Sequence, residues 1–514
     1  MAITDNLETF VDSLLPDDPA EWCRQHRFPK IIHDALWGTF ELAPHEVALI
    51  DTGLLQRLRF IHQTGAVHLT YPAALHTRFE HVLGVMFQAG RMCTALRNRG
   101  RGMGVNYYER DERFTIVQER QARITALVHD IGHGPFSHTS EQFFSSYAEV
   151  VELQRQRKFQ ESGAGEILSC LLVQTQKFQA LISAMNEVYG LDLSAETSAK
   201  MIIGDMNNEN MYLSEIVHGP LDADKLDYMH RDGLFSGLRM QVDLDRLYAS
   251  INILSATEQG VRQTRLAGEM SGTSPLAQIM FNKMLLFTGI YHHHKVRAVD
   301  CMLWAMFELA RDRATELAGV RLDTIVDYLK LTDDRVLTPD LTQDADIVKI
   351  IKDIRARRLW RRALVLSRHT VPPEMHDPSV ATGSLPFNEI TKLMGNDASK
   401  ILRRRELAHQ IWEEAGKPCE SHEVWFDIPK LPSMEEAERM WIKAPGLDHP
   451  VKLGEFLPIE EWVDLYGMHR WRAHIFCPAP ARERINTAAK KVLDEVFGLK
   501  VNPMATGLAH IDRP

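Results

Sequence analysis

From Ile31 to about Ala318 apolar residues recur at steps of three and four, which predicts a largely helical region. Helical segments are expected over roughly 50–63, 78–97, 117–133, 160–188 and 278–317, after a short helical lead-in over 1–30 closed by Pro29. Between them, RGRGMGVN at 99–106 reads as a loop and MIIGDMNNENMYL at 201–213 as a connection. Pro372, Pro373, Pro378 and Pro386 then break the pattern. Beyond them, WFDIPKL and HIFCPAP run apolar between prolines and read as strands, and a last helix is expected from about Arg482 to Phe497, stopped by Gly498. The expectation is a mainly α protein: a helical core over about 31–330 and a smaller α+β C-terminal lobe over 331–514.

One helix carries more than packing. In ITALVHDIGHGPFSH (124–138), Ile124, Leu127, Val128 and Ile131 make an apolar face. His129, Asp130 and His133 are expected on its other side, the four-residue step keeping both histidines on one face. Gly134-Pro135 is expected to stop this helix, and His138 to begin the next element. A His-Asp pair offers one nitrogen and one oxygen ligand to a borderline metal. The dipeptide alone is common, but three imidazoles and a carboxylate beside an apolar face make a metal site the working reading. Two further stretches add to it. In HTRFEHVLGVMFQAG (76–90), Arg78 and His81 share a helical face, and arginine's planar fork suits a phosphate oxyanion. In LDADKLDYMHRD (221–232), Asp224, Tyr228 and Asp232 recur every four residues, with Lys225 turned about 100° away.

Composition narrows the classes. A chain of 514 residues suggests two or three units. Its net charge of −10 gives no strong signal for nucleic-acid binding, which needs clustered positive potential. The six cysteines are scattered without close pairs, a pattern suited to a reducing compartment. No basic segment precedes an apolar run at the N-terminus, and no run of about 18 apolar residues exists, so a cytoplasmic protein with no membrane partner is expected.

The order RFEH, HDIGHGPFSH, DADKLDY resembles the HD-domain phosphohydrolases, and most closely the deoxynucleoside triphosphate triphosphohydrolases. The likeness extends to HEVALIDTGLLQRLRFIHQTG upstream and YHHHK at 291–295 downstream, and so covers most of the chain after residue 30; no sterile alpha motif is expected before it. It implies an HD-domain helical core and hydrolysis of deoxynucleoside triphosphates to deoxynucleoside and tripolyphosphate. It implies one divalent ion (Mn, Fe, Mg, Ni, Co or Zn) on His81, His129, Asp130 and Asp224, with additional Mg²⁺ accompanying bound nucleotide. Arg78, Lys225 and Tyr228 match residues that hold the triphosphate, Gln63 and Asp232 residues near the sugar, and His138 and His133 pocket histidines. Asp51, Gln56 and Arg59 match the set that reads an activating guanine nucleotide or dNTP between subunits of a homo-oligomer. Two positions depart from the pattern. Gln160 stands where a histidine acid is expected, which leaves His133, oriented by Glu141, as the candidate acid; Met284, beside Lys283, stands where a phosphate-binding arginine is expected. An HD phosphohydrolase acting on a monophosphate or a cyclic dinucleotide, and a non-hydrolytic nucleotide sensor, are the alternatives.

Overall fold

The helical period is realised, but in shorter pieces than the pattern alone suggests. The computed structural model describes residues 3–99, 114–375, 386–395, 398–431 and 433–510. The expected loop at 99–106 beyond Arg99, and most of the proline-rich 370–386 break including Pro378, lie outside the described residues. The expected 160–188 helix is two, Ala164–Leu172 and Gln176–Tyr189. The expected 278–317 helix is Thr273–Leu286, a π-helical turn over Phe287–Tyr291, and His294–Asp312. A π turn absorbs an extra residue, so a pattern count runs straight through it. Among the described residues no helix is long and apolar enough to cross a membrane.

The chain folds into two units that interleave in sequence. One holds 1–283, 323–334 and 434–459; the other holds 284–322, 335–433 and 460–514.

In the first unit, helix Arg78–Arg99 packs against Ile116–Val128 on one side and Ala223–Ser236 on another. Thr115 caps Ile116–Val128 through Gln118 N, and Asp222 caps Ala223–Ser236 through Lys225 N, which fixes where both helices begin. Two antiparallel hairpins sit in the region read as helical: β1 (Lys30–Asp34) with β2 (Gly38–Leu42), and β3 (Ile251–Glu258) with β4 (Val261–Glu269). The second hairpin turns through Gln259 and Gly260, both at positive φ (51° and 81°), the mirror-image two-residue turn that matches strand twist.

The remaining strands are β5 (Arg361–Leu366), β6 (Trp425–Asp427), β7 (Trp441–Lys443), β8 (Val451–Lys452) and β9 (Ala473–Cys477). In the first unit β7 joins β4 in parallel and β8 extends the sheet. The second unit is built on an antiparallel sheet of order β5-β9-β6. Helices Ala398–Glu414 and Arg482–Phe497 cover it, with Leu364, Leu407, Phe426, Ile475, Ile485 and Leu493 in the core between them. Gly498 ends helix Arg482–Phe497 in the left-handed region (φ 64°), as the sequence predicts, and a short helix, Pro503–Gly507, follows it.

Helix His294–Asp312 of the same unit brings Arg297 onto Asp427 of β6 at 2.6 and 3.0 Å, with both side chains buried. Two charges out of water stay tolerable only as a pair. Asp427→Ala is therefore expected to cost about 3 kcal/mol, because buried Arg297 loses its two-bond partner and keeps only Asp300, at 3.2 Å; urea unfolding followed by the fluorescence of Trp304 and Trp425 measures it.

Candidate metal centre

Three segments of the first unit converge. Arg78 and His81 lie in the first turn of helix Arg78–Arg99, and Asp224 in the first turn of Ala223–Ser236. Helix Ile116–Val128 ends one residue before the His-Asp pair: His129 is its cap, and Asp130–Gly132 turn away. This corrects the expectation that His129 and His133 share one face of a continuous helix. Gly132 is what lets the turn press on the neighbouring helix, since a Cβ there would run into Gly165 O and Ser169 N.

The turn aims both histidines inward. His81 Nε2 comes to 3.0 Å from Asp224 Oδ1 and 3.5 Å from Asp130 Oδ2. His129 Nε2 comes to 3.5 Å from Asp130 Oδ1 and 3.8 Å from Asp224 Oδ1. The other ring nitrogens are committed: His129 Nδ1 donates to Ala126 O at 2.7 Å, and His81 Nδ1 to Asp227 Oδ2 at 2.9 Å. A carbonyl only accepts, so the proton of His129 is fixed on Nδ1 and its Nε2 lone pair faces the carboxylates. Both Nε2 atoms are buried and without a hydrogen-bond partner. Two orphaned imidazole nitrogens facing two carboxylates fit a divalent cation. The electrostatics agree. Burial opposes charge on His81, yet Asp224 and Asp227 raise it to about 10, so the pocket favours positive charge at its centre.

Asp227 is the residue of this cluster that sequence reasoning missed. It is fully buried and accepts from His81, from Trp37 Nε1 at 2.5 Å and from Arg231 Nε and Nη2 at 2.8 and 2.9 Å. Arg231 in turn reaches Asp34 of β1 at 3.0 Å. Helix Arg78–Arg99 can approach this close because position 84 is glycine; a Cβ there would collide with Asp227 and Arg231. The available signal was the i, i+4 spacing of Asp227 and Arg231 within LDADKLDYMHRD.

Arg78 is buried, pairs with Asp130, and donates from Nε to Ser137 Oγ at 2.9 Å. Burial works against an Asp130 charge, but Arg78 and then His129 hold its carboxyl far below the usual range. Next to it, His133 Nε2 lies 3.3 Å from Asp130 Oδ1, while its Nδ1 has no partner. Burial foremost, then Arg78, pushes His133 down to about 3. Glu141, which the sequence assigns to orienting His133, instead bonds His138 Nδ1 at 2.8 Å, with His133 Nδ1 at 3.8 Å. Desolvation opposes charge on His138, but Glu141 raises it above the ordinary imidazole range. Gly165 N donates to Glu141 Oε1 at 2.8 Å and steadies the carboxylate.

The other sequence-predicted residues spread around this centre. Lys225 Nζ bonds Asp222 Oδ2 (2.7 Å) and Gly219 O (2.8 Å) and lies 3.4 Å from Glu436. Burial keeps the Tyr228 phenol protonated. Asp232 accepts from His76 Nε2 at 2.8 Å; Gln63 N donates to His76 O at 3.0 Å, and Gln63 Oε1 is buried without a partner. Met284 is buried as a core residue, while Lys283 is lowered to about 8 by burial and by Lys225, with Asp222 and Asp224 also acting on it. A cation one residue from the expected position thus feels the field of these carboxylates. Gln160 is exposed, but the segment it leads reaches the centre through Gly165, where a Cβ would strike the His133 ring. Asp51 bonds Lys30 Nζ at 2.5 Å, whereas Gln56 Oε1 accepts from Arg59 Nε at 2.7 Å; both contacts are at the surface.

Asp227→Asn places an amide N–H against the donors of His81, Trp37 and Arg231. Divalent-metal affinity is expected to fall about 10–100-fold, read by competition titration against a chromogenic chelator.

A model of the HD domain matches residues 78–208, and a model described as an HD-associated region matches residues 265–497. The chain is 26% identical over 475 residues to an uncharacterized protein of Methanocaldococcus jannaschii, covering 90% of this chain and 84% of that protein. It is 29% identical over 368 residues to the deoxynucleoside triphosphate triphosphohydrolase SAMHD1 of Homo sapiens, covering 65% of this chain and 54% of that protein. To the SAMHD1 homolog of Dictyostelium discoideum it is 25% identical, over 65% of this chain and 59% of that one. The chain thus spans somewhat over half the length of these two enzymes. The crystal structure of a hypothetical protein from Aquifex aeolicus shares the fold, with a TM-score of 0.58 and 19% identity over 90% of this chain and all of that one. The protein accordingly carries an HD domain followed by an HD-associated region, and is homologous to the SAMHD1 deoxynucleoside triphosphate triphosphohydrolases.

Proposed function

We propose that this protein is a metal-dependent phosphohydrolase that cleaves deoxynucleoside triphosphates to deoxynucleoside and tripolyphosphate. The observation that carries the reading is the pair of buried, unpartnered Nε2 atoms on His81 and His129, facing Asp130 and Asp224 with Arg78 alongside. When bound there, a divalent ion supplies Lewis-acid polarisation of a phosphate oxygen and acidifies an attacking water.

The chain's own residues supply the rest. Arg78, Lys225, Lys283 and Tyr228 bind and orient the phosphate chain, and neutralising its charge is most of what phosphoryl chemistry asks of a protein. Gln63 and Asp232 face the sugar. Attack at the α-phosphorus expels the nucleoside oxygen, which needs a proton. His138 is the acid in this reading rather than His133, because Glu141 bonds His138 and raises it above the ordinary imidazole range, whereas burial pushes His133 down to about 3. Asp51, Gln56 and Arg59 form an effector site for a guanine nucleotide or dNTP between subunits of a cytoplasmic homo-oligomer; a nucleotide there displaces Lys30 from Asp51.

Incubation with Mn²⁺ and a single dNTP, followed by phosphorus NMR, is expected to give tripolyphosphate as the first product, and Asp130→Ala to give none and to lose bound metal. Orthophosphate or pyrophosphate appearing first means another HD phosphohydrolase activity. Metal retained with no dNTP turnover leaves a nucleotide sensor or a phosphohydrolase for a monophosphate or cyclic dinucleotide. Repeating the assay with a second nucleotide, alongside light scattering, tests the effector site: a change in neither rate nor mass removes it.

The acid assignment predicts a pH profile. A His138 raised by Glu141 is protonated up to a higher pH than a free imidazole, so activity falls as pH rises through that raised value. Glu141→Gln removes the cause of the rise and is expected to move the alkaline limb of kcat to lower pH. An unmoved limb excludes His138 as the acid.

A further inference from the structure

The 323–334 segment returns to the first unit and contributes one buried carboxylate, Asp333. Its Oδ1 accepts from Phe136 N at 2.7 Å. Its Oδ2 accepts from His62 N at 3.0 Å and from His62 Nδ1 at 2.6 Å. Both oxygens are thus used, and both clasp main chain: the segment that leads to Gln63 and the loop that leads to His138.

That loop needs holding. Phe136 and Ser137 are consecutive non-glycine residues at φ 57° and 52°. Such backbone persists only where the surroundings over-determine it. The conformation has a use: it turns Ser137 Oγ to donate to His62 O at 2.6 Å and to accept from Arg78 Nε at 2.9 Å. Arg78 then reaches Asp130. The same returning segment is pinned to the loop a second time, through Arg57, whose Nη2 donates to Ile131 O and to His133 O (2.9 Å) while Nη1 reaches Leu329 O at 3.4 Å. Tyr328 lies against Gly134, where a Cβ would meet its ring.

We propose that Asp333 is a positioning residue: by joining the main chain of His62 to that of Phe136, it holds Ser137 against Arg78 and so sets the arginine's fork toward Asp130 and the phosphate. Asp333 touches neither metal ligand nor substrate; it acts through Phe136, Ser137 and Arg78. The kinetic consequence rests on the phosphohydrolase reading, whereas the structural one does not.

Two measurements on the full chain separate these. In Asp333→Asn, which keeps the shape but sets an amide N–H against a donor, hydrogen–deuterium exchange is expected to rise about tenfold in peptides covering 60–64 and 134–139. Exchange in helices Arg78–Arg99 and Ala223–Ser236 stays as in the wild type. For dNTP hydrolysis, kcat is expected to fall about tenfold to a hundredfold with KM little changed. Adding Ser137→Ala to Asp333→Asn should cost almost nothing further, because both act through one contact. Asp333→Glu, which retains charge but displaces the oxygens, is expected to show the same local loosening. Unchanged exchange in both peptides, global loss of protection in both variants, or multiplicative losses in the double variant each overturn the proposal. A protein that loosens as expected yet never hydrolyses dNTPs refutes the functional reading and leaves the clasp standing.

Discussion

The bond between His81 Nδ1 and Asp227 is the constraint on which the rest of the centre depends. An imidazole can face a cation only through a nitrogen that carries no proton, so something must hold the proton on the other nitrogen. For His81 that holder is a carboxylate, and a buried carboxylate is itself unstable unless its remaining lone pairs are filled. Trp37 and Arg231 fill them, and Asp34 then meets the other side of Arg231. Keeping that one nitrogen free thus calls for a chain of buried polar groups reaching from helix Arg78–Arg99 through Ala223–Ser236 to β1. Gly84 is part of the same requirement, because the helices cannot close on Asp227 with a side chain between them.

The second half of the centre obeys a different rule. Around His133, His138 and Glu141 the decisive quantity is who shares a proton with whom. Glu141 sits closer to His138 than to His133 by an ångström; it raises the first imidazole, while burial pushes the second down. Two titratable groups pushed apart in this way are the usual sign of a divided acid–base task. The loop joining them to Arg78 runs through two non-glycine residues at positive φ, sparsely populated backbone that costs about 1–3 kcal/mol per residue. Such an outlay is kept where the geometry it secures is used.

Much of the architecture is legible in the chain. Helix Arg78–Arg99 follows from its spacing, Arg482–Phe497 from its glycine stop, and the strands Trp425–Asp427 and Ala473–Cys477 from short apolar runs beside prolines. The hairpin over 251–269 escapes a helical reading although its signals are present, an alternating pattern around Gln259-Gly260; a helical frame imposed over three hundred residues hides a period of two. The spacing overextends the His-Asp helix because Ile131 continues the apolar period. The burial of Ile131 comes instead from a turn packed on Ala164–Leu172.

By itself the sequence marked His81, His129, Asp130 and Asp224 as candidates, through histidines and carboxylates at helical spacing in three short stretches and through the likeness of those stretches to the HD-domain phosphohydrolases, properties that belong to each segment alone. Tertiary structure decided their orientation and their partners. That Asp227 rather than solvent holds His81, that Gly165 steadies Glu141, and that Asp333 returns from nearly two hundred residues away to hold Phe136 are all contacts between distant segments. No periodicity encodes such contacts, because a hydrogen bond depends on where two chains meet in space, and only packing fixes that.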